Sequence, residues 1–566
     1  MSVAPFSPPL RRRIVRAPLS ALGLVCAAPG YVIALTPSLL PRPISLLILL
    51  ASLGTALAYA LGASVGWIWR KIPLTSGWQP RKSLRWACIV IAWIPAVIFT
   101  PIAISWQLEQ QAELDMPGTL ASTVIVLLAS LVFALAFIAI GRSIRLGTNN
   151  LARLATAFPL LWRWTTKRGP LRQYRRVMTI RVIAAVLVVL LFNSAMALGF
   201  NRLVASYSVI NADTSGQSQS DLGSNSGSAE SLTPWATLGR EGRFFVSNTM
   251  QPSEISAITQ APATTPLRLY IGVDQAPTPQ ERSDLAVREL DRTHAWDRDY
   301  LAVIALTGTG WVEPDAINAL ETVTAGNIAS IGVQYSAVPS WIGFLIDQET
   351  TQIQNADTIH TIIDAWRKHP ADHRPKLVLF GESLGAFGSQ GAWNSLSTPA
   401  DVLTDFSSVI WIGPPAGSTL WKAWQADRTA GPAWQPVIGN GTAARVFVSS
   451  EELLTAPPAA GKSIAIAAHP NDPVVYWSWD LLFNRPEWID SPLGPGVDTH
   501  IRYSWIITCL QVGMDLVSGG EPPEVGHNYI GASGSAIALT LNPPGWTTAK
   551  TIAMQEALGR LRYTTG

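Results

Sequence analysis

The chain has 566 residues, of which only 14% are charged, and its 41 Lys and Arg nearly balance 38 Asp and Glu. A net charge of +3 gives no ground for nucleic-acid binding, and so low a charge density with a positive mean hydropathy argues against a wholly soluble chain. Its three cysteines, Cys26, Cys88 and Cys509, lie in apolar stretches, so no disulfide framework is expected, and no metal-ligand spacing or cofactor motif stands out.

The apolar excess is concentrated in the first 205 residues, read as a helical membrane domain. Five spans appear at about 18–36, 44–67, 85–105, 119–141 and 180–203, each close to the ~20 apolar residues a bilayer requires. Arg11, Arg12, Arg13 and Arg16 would suit a signal peptide, but no clean cleavage site follows, so an uncleaved first helix is expected. The loop after the second span carries Arg70, Lys71, Arg81, Lys82 and Arg85. The loop after the fourth carries Arg142, Arg145, Arg153, Arg163, Lys167, Arg168 and further arginines to Arg181. Between the third and fourth lie Glu109, Glu113 and Asp115, with no basic residue. The positive-inside rule puts the N-terminus in the cytoplasm and, after five spans, the rest of the chain outside it. A re-entrant first segment, with its Pro29-Gly30, is the alternative that would turn the C-terminal domain inward.

Residues 206–237 read as a linker, Ser/Gly/Asn-rich over 211–231. About 20 flexible residues span roughly 25 Å, which keeps the following domain, 238–566, near the bilayer. In that domain, strand-like runs at 267–273, 300–306, 328–334, 376–380, 408–412, 445–449 and 463–467 alternate with helical spacing at 279–295, 314–325 and 348–368. Strands separated by helices predict a mostly parallel sheet covered on both faces.

One motif carries chemistry. Gly381-Glu382-Ser383-Leu384-Gly385 follows the apolar run 376–380 and precedes a plausible helix. A serine presented on a sharp strand-to-helix turn needs glycine on both flanks, because side chains there would collide. The same pattern recurs at Gly62-Ala63-Ser64-Val65-Gly66, but inside a membrane span, where small residues read as helix-packing positions.

A serine hydroxyl needs a base and an orienting acid. His527, in the small-residue loop Glu524-Val525-Gly526-His527-Asn528-Tyr529, is the expected base, with His469 second. Asp472, just beyond the strand 463–467, is the expected acid, with Glu451 as runner-up; a turn is the plain reading of Asn471-Asp472-Pro473. Oxyanion donors are expected from the amide of Leu384 and from Gly308 and Thr309 in the glycine-rich loop 307–311. Trp411, Trp421, Trp424, Trp434, Trp477, Trp479 and Trp488 suit an acyl or glycan pocket or a bilayer interface, although core packing accounts for most of them. Arg240 and Arg243 suit anionic head groups or a solvated surface.

The chain resembles a bacterial membrane-embedded α/β-hydrolase family, found mainly in actinobacteria, with its own N-terminal membrane domain. The matching segments are Thr36-Pro37-Ser38-Leu39-Leu40-Pro41-Arg42, Gly239-Arg240-Glu241-Gly242-Arg243, Thr307-Gly308-Thr309-Gly310-Trp311-Val312, Gln334-Tyr335-Ser336, Pro339-Ser340-Trp341, Gly381-Glu382-Ser383-Leu384-Gly385, Gly413-Pro414-Pro415, Asp472-Pro473-Val474-Val475-Tyr476-Trp477 and Gly526-His527-Asn528-Tyr529. The resemblance implies a serine hydrolase fold outside the membrane and a role in the cell envelope, without naming a substrate. The long stretch between Asp472 and His527 leaves Asp480, Asp490 and Asp498 open as acids. Together these readings predict a membrane-anchored serine esterase, lipase or acyltransferase that meets the bilayer and acts on envelope lipids or acylated glycans without a cofactor. The other class of function is a non-catalytic envelope assembly or scaffold protein with an inactive hydrolase fold.

Overall fold

The computed structural model describes residues 18–69, 81–118, 122–157, 170–219, 222–346, 348–490, 492–517 and 522–565. The basic residues Arg11 to Arg16, Arg70, Lys71, Arg163, Lys167 and Arg168 lie outside them. The chain divides into two compact units. One takes Met1–Ala112, Pro117–Arg202 and His500–Met514; the other takes Glu113–Met116, Leu203–Thr499 and Asp515–Gly566.

The first unit is helical: α1 (Ala21–Leu35), α2 (Ile44–Trp69), α3 (Lys82–Glu113) as far as Ala112, α4 (Thr123–Ala157) and α5 (Pro170–Ala212) as far as Arg202. Helices α2 to α5 each contain a stretch long and apolar enough to cross a membrane, four in all among the described residues. Helix α1, with 15 residues, is shorter. It lies tightly on α2 through small residues. A Cβ on Gly30 would stand 2.3 Å from Ala58 Cβ, and one on Gly62 would stand 2.7 Å from Cys26 Sγ. In lipid, helix association depends on such close approach, so the Ser64 copy of the glycine–serine pattern is a packing seam. Buried Arg42 gives its guanidinium to Ser38 Oγ and the Thr36 carbonyl, while its amide donates to Gln107 Oε1 at 2.7 Å. The helix Trp505–Asp515 also lies largely in this unit, where Gln511 Nε2 donates to the Thr36 carbonyl at 2.9 Å.

The second unit is built on seven parallel strands in the order β1-β3-β2-β4-β5-β7-β6. They are β1 (Leu267–Ile271), β2 (Tyr300–Ala305), β3 (Ile328–Val333), β4 (Lys376–Glu382), β5 (Phe406–Ile412), β6 (Ala444–Phe447) and β7 (Ser463–Ala467). Strands β1, β2, β3 and β7 are buried throughout, which is why they read as continuous apolar runs. Along β4 and β5 the side chains alternate between two cores. Val378, Phe380, Ile410 and Ile412 share one face with α7 (Pro314–Val323) and α10 (Ala532–Leu541). Leu377, Leu379, Val409 and Trp411 share the other with α6 (Pro279–Arg292) and α8 (Gln348–Arg367). Between them, α9 (Leu384–Gln390) follows β4 directly.

Part of the Ser/Gly-rich stretch is fastened to edge strand β1. Ser226 donates its amide to the Arg268 carbonyl at 3.2 Å, Arg268 donates its own to Asn225 Oδ1 at 3.1 Å, and Tyr270 donates to Ser226 Oγ at 2.9 Å. Those bonds cover an edge that would otherwise present unpaired backbone groups. Arg243 is neither at a head-group surface nor solvated. Its buried guanidinium donates to the carbonyls of Asn211 and Asp213, closing the C-terminal end of α5, whereas Arg240 is exposed.

Candidate active site

Strand β4 ends at Glu382, and Ser383 takes φ 53°, ψ −120° before α9 begins. That is a strained backbone for a residue with a Cβ. The strain is held from both sides: the Ser383 amide donates to the Ile412 carbonyl at 2.8 Å, and the Phe387 amide donates to the Ser383 carbonyl at 3.1 Å. The flanking glycines are required by space. A Cβ on Gly381 would stand 2.7 Å from the Gly385 carbonyl carbon, and one on Gly385 would stand 2.1 Å from the Ala305 carbonyl oxygen. The Leu384 amide, first in α9, has no acceptor within its own helix.

The loop after β2 is pinned beside this turn. A Cβ on Gly308 would meet the Val338 carbonyl at 2.6 Å. Gln334 Nε2 donates to the Thr309 carbonyl at 2.8 Å, and the Tyr270 hydroxyl donates to the Gly310 carbonyl at 2.9 Å. The Gly308 amide donates to Ser340 Oγ at 3.1 Å, a partner that the sequence did not disclose.

Asp472 caps the short helix Pro473–Tyr476, and its Oδ1 accepts the Val474 amide at 2.8 Å, which fixes the carboxylate. Its Oδ2 accepts from His527 Nδ1 at 2.7 Å and from the Tyr529 hydroxyl at 2.7 Å. The His527 ring lies on Gly413: a Cβ there would stand 2.7 Å from His527 Cε1. Gly413 follows Ile412, whose carbonyl accepts the Ser383 amide, so the imidazole rests one residue from the strand position that holds the serine. Burial, and then the charge on Asp472, raise the Tyr529 phenol well above its usual range, so it stays a donor at neutral pH.

His469, the second choice of base, is buried in a different role. It stacks on Tyr529 with ring centroids 4.1 Å apart, its Nδ1 donates to the Gly526 carbonyl at 2.8 Å, and its amide donates to the Tyr529 hydroxyl at 3.0 Å. Its Nε2 stands 3.7 Å from Glu524 Oε2. Burial works to raise the Glu524 pKa, but the nearby His469 ring and the hydrogen bonds from Ser450 outweigh it and hold the carboxyl below its ordinary value. Of the other acids weighed, Glu451 is exposed, Asp480 stands 3.8 Å from Lys422, and Asp490 accepts from Arg485.

Glu382 carries a property that the motif alone does not announce. Its Oε2 is enclosed with no hydrogen-bond partner among the described residues. Burial first, then the nearby charge of Glu313, push its carboxyl up to about 8; His527 opposes that shift and Asp315 adds to it. Glu382 is therefore a neutral acid at pH 7. Tyr529, Ser340 and Gly413 stand in the segments that carry the family resemblance, but sequence reasoning assigned them no role.

A groove of about 760 Å³, lined by Arg298, Tyr300, Lys376 and Trp546 among others, lies at the N-terminal ends of β2 and β4, away from Ser383. Among the described residues, no group of three or more His, Cys, Asp or Glu stands where it could hold a metal ion.

The profile described as the alpha/beta-hydrolase family matches residues 267–554, and that of the alpha/beta-hydrolase family N-terminus matches residues 35–249. Comparison with curated proteins and with solved structures finds no match.

Proposed function

The chain belongs to the alpha/beta-hydrolase family, and from that premise we propose a membrane-anchored serine esterase, lipase or acyltransferase that works through an acyl-enzyme. One observation carries the reading: the 2.7 Å bond from His527 Nδ1 to Asp472 Oδ2, with the imidazole seated on Gly413 beside the nucleophile strand. Ser383 Oγ attacks the ester carbonyl carbon while His527 Nε2 takes the hydroxyl proton. Asp472 holds the imidazole in the tautomer that leaves Nε2 a base, and stabilises the imidazolium that forms. His527 then returns the proton to the leaving alkoxide, and water or an acceptor alcohol resolves the acyl-enzyme by the same steps. The Leu384 amide supplies one oxyanion donor, and Gly308 or Thr309 the second. For Gly308 this requires release of Ser340 Oγ.

The basic loops after α2 and after α4 both belong on the cytoplasmic side. A crossing by α5 then carries the hydrolase domain out of the cytoplasm, so that, contrary to the expectation above, a re-entrant α1 would move the N-terminus and not this domain. An envelope lipid or acylated glycan is the substrate class this placement favours. The test is a fluorophosphonate probe on the full chain. Labelling that disappears in Ser383→Ala supports the reading, whereas a folded wild type that resists the probe leaves the non-catalytic assembly role. A C-terminal reporter active only in the cytoplasm would overturn the orientation.

A further inference from the structure

The helix Ser340–Ile346 follows β3, and a Cβ on its Gly343 would touch Leu384 Cδ1 at 3.3 Å. The next residue, Phe344, meets Trp477 with ring centroids 6.0 Å apart, tilted by 58°. Trp477 closes the short helix that Asp472 caps, and it meets Trp479 edge-to-face at 5.0 Å. Sheet order gives this pairing its meaning. β3 lies two strands to one side of β4 and β7 two strands to the other. Phe344 and Trp477 thus leave from opposite flanks of the nucleophile strand and meet across its end.

The outer part of this row is not ordinary core. Trp477 is buried, Phe344 is half-buried, and Trp479 is 64% exposed, with Phe483 of the same turn 75% exposed. Two large aromatic rings left in water at the end of a row that begins beside the nucleophile form an apolar surface that awaits a cover. Binding sites for apolar ligands are lined in this way, with polar groups concentrated at the reacting end. Here the reacting end holds Ser383, His527 and Asp472, while Asp480 and Lys422 flank the outer end.

We infer that Leu384, Phe344, Trp477 and Trp479 form an acyl-chain subsite, and that the substrate of the Ser383 site carries an extended apolar acyl group. The inference rests on the serine-hydrolase reading and deepens it. The ester carbonyl sits at Ser383, and the chain runs outward along the rings toward Trp479 and Phe483.

The experiment compares p-nitrophenyl acetate, butyrate, octanoate and laurate on the full-length protein in detergent, after fluorophosphonate labelling has established that Ser383 is reactive. Each methylene that reaches the rings should raise kcat/KM about four-fold. Trp479→Ala, at an exposed ring, should lower the ratio of laurate to acetate turnover about ten-fold. Phe344→Leu should shorten the preferred chain in the same direction. A labelled wild type that hydrolyses laurate no faster than acetate, or a Trp479→Ala that depresses both esters equally, overturns the subsite alone. A wild type that does not label overturns the serine-hydrolase reading beneath it.

Discussion

The last glycine of the two Gly-x-Ser-x-Gly copies permits a paired test in one molecule. In Gly385→Ala the added Cβ would stand 2.1 Å from the Ala305 carbonyl oxygen and 3.0 Å from its carbon. Both are backbone atoms of β2, so no rotamer change relieves the clash, and helix α9 must move by roughly 1 Å. Overpacking of a rigid site costs about 1–3 kcal/mol, and a backbone neighbour puts this case at the upper end. With an unfolding entropy of about 2.1 cal/mol/K per residue, a domain of this size then loses about 4 °C in Tm. The shift also carries Ser383 and the Leu384 amide with it, and a misplacement of about 1 Å costs on the order of a hundred-fold in rate. In Gly66→Ala the nearest atom would be Leu22 Cδ2 at 3.5 Å, an ordinary contact, and alanine favours a helix interior by about 0.5–1 kcal/mol. The assay is thermal melting in detergent together with the rate of fluorophosphonate labelling. Gly385→Ala should lose both stability and labelling, and Gly66→Ala should keep both. A Gly385→Ala protein that melts and labels like the wild type refutes the steric account of the elbow.

Two further outcomes follow from the residues around the dyad. Tyr529→Phe removes a donor to Asp472 Oδ2 and leaves the buried His469 amide without its acceptor, which should cost about 2–4 kcal/mol in denaturant unfolding and roughly ten-fold in esterase kcat/KM; a change below about 0.5 kcal/mol would sink the assignment. Burial pushes the Glu382 carboxyl up to about 8, above the ordinary 4.5, so the wild type loses stability as pH rises from 4.5 through 8. Glu382→Gln removes that burden: the two proteins should melt alike near pH 4.5, and the variant should be clearly the more stable above pH 8, while parallel curves across the range would count against an enclosed neutral carboxyl.

The sheet was legible because parallel strands buried on both faces leave continuous apolar runs, and the helices because their spacing switches between them. The edges were less so. β5 begins at Phe406 rather than 408, since Ser407 and Ser408 hide the strand's start, and β4 continues through the glycine of the elbow to Glu382. The sharp turn at Ser383 and the meeting of Asp472 with His527 could be read from order and from positions just past strand ends. Tyr529, Ser340 and the enclosed state of Glu382 could not, because each depends on which loop meets which at the top of the sheet. Arg243 misled because a lone arginine is usually solvated; the carbonyls at the end of α5 gave it a buried partner set. Asn225 and Ser226 misled for the opposite reason: side chains typical of a flexible linker are also good partners for a bare strand edge.

The separation of 55 residues between Asp472 and His527 has a physical explanation in the helical unit. His500–Met514, which lies between them, belongs to that unit. Thr508, Gln511, Val512 and Asp515, spaced three and four apart, form the buried side of the helix Trp505–Asp515. Gln511 bonds to Thr36, and His500 stacks on Trp106 at 4.1 Å. The extra length is thus a piece of the helical unit encoded inside the acid–base segment. A fragment of residues 206–566 keeps that piece but loses Thr36 and Trp106, which contact it. Such a fragment should aggregate, or stay in solution only with detergent, and its labelling by fluorophosphonate should fall well below that of the full chain. Co-expression of residues 1–205 should restore both. A fragment that is monomeric without detergent and labels at the full-length rate would show that the helical unit only anchors the hydrolase domain and contributes nothing to its integrity.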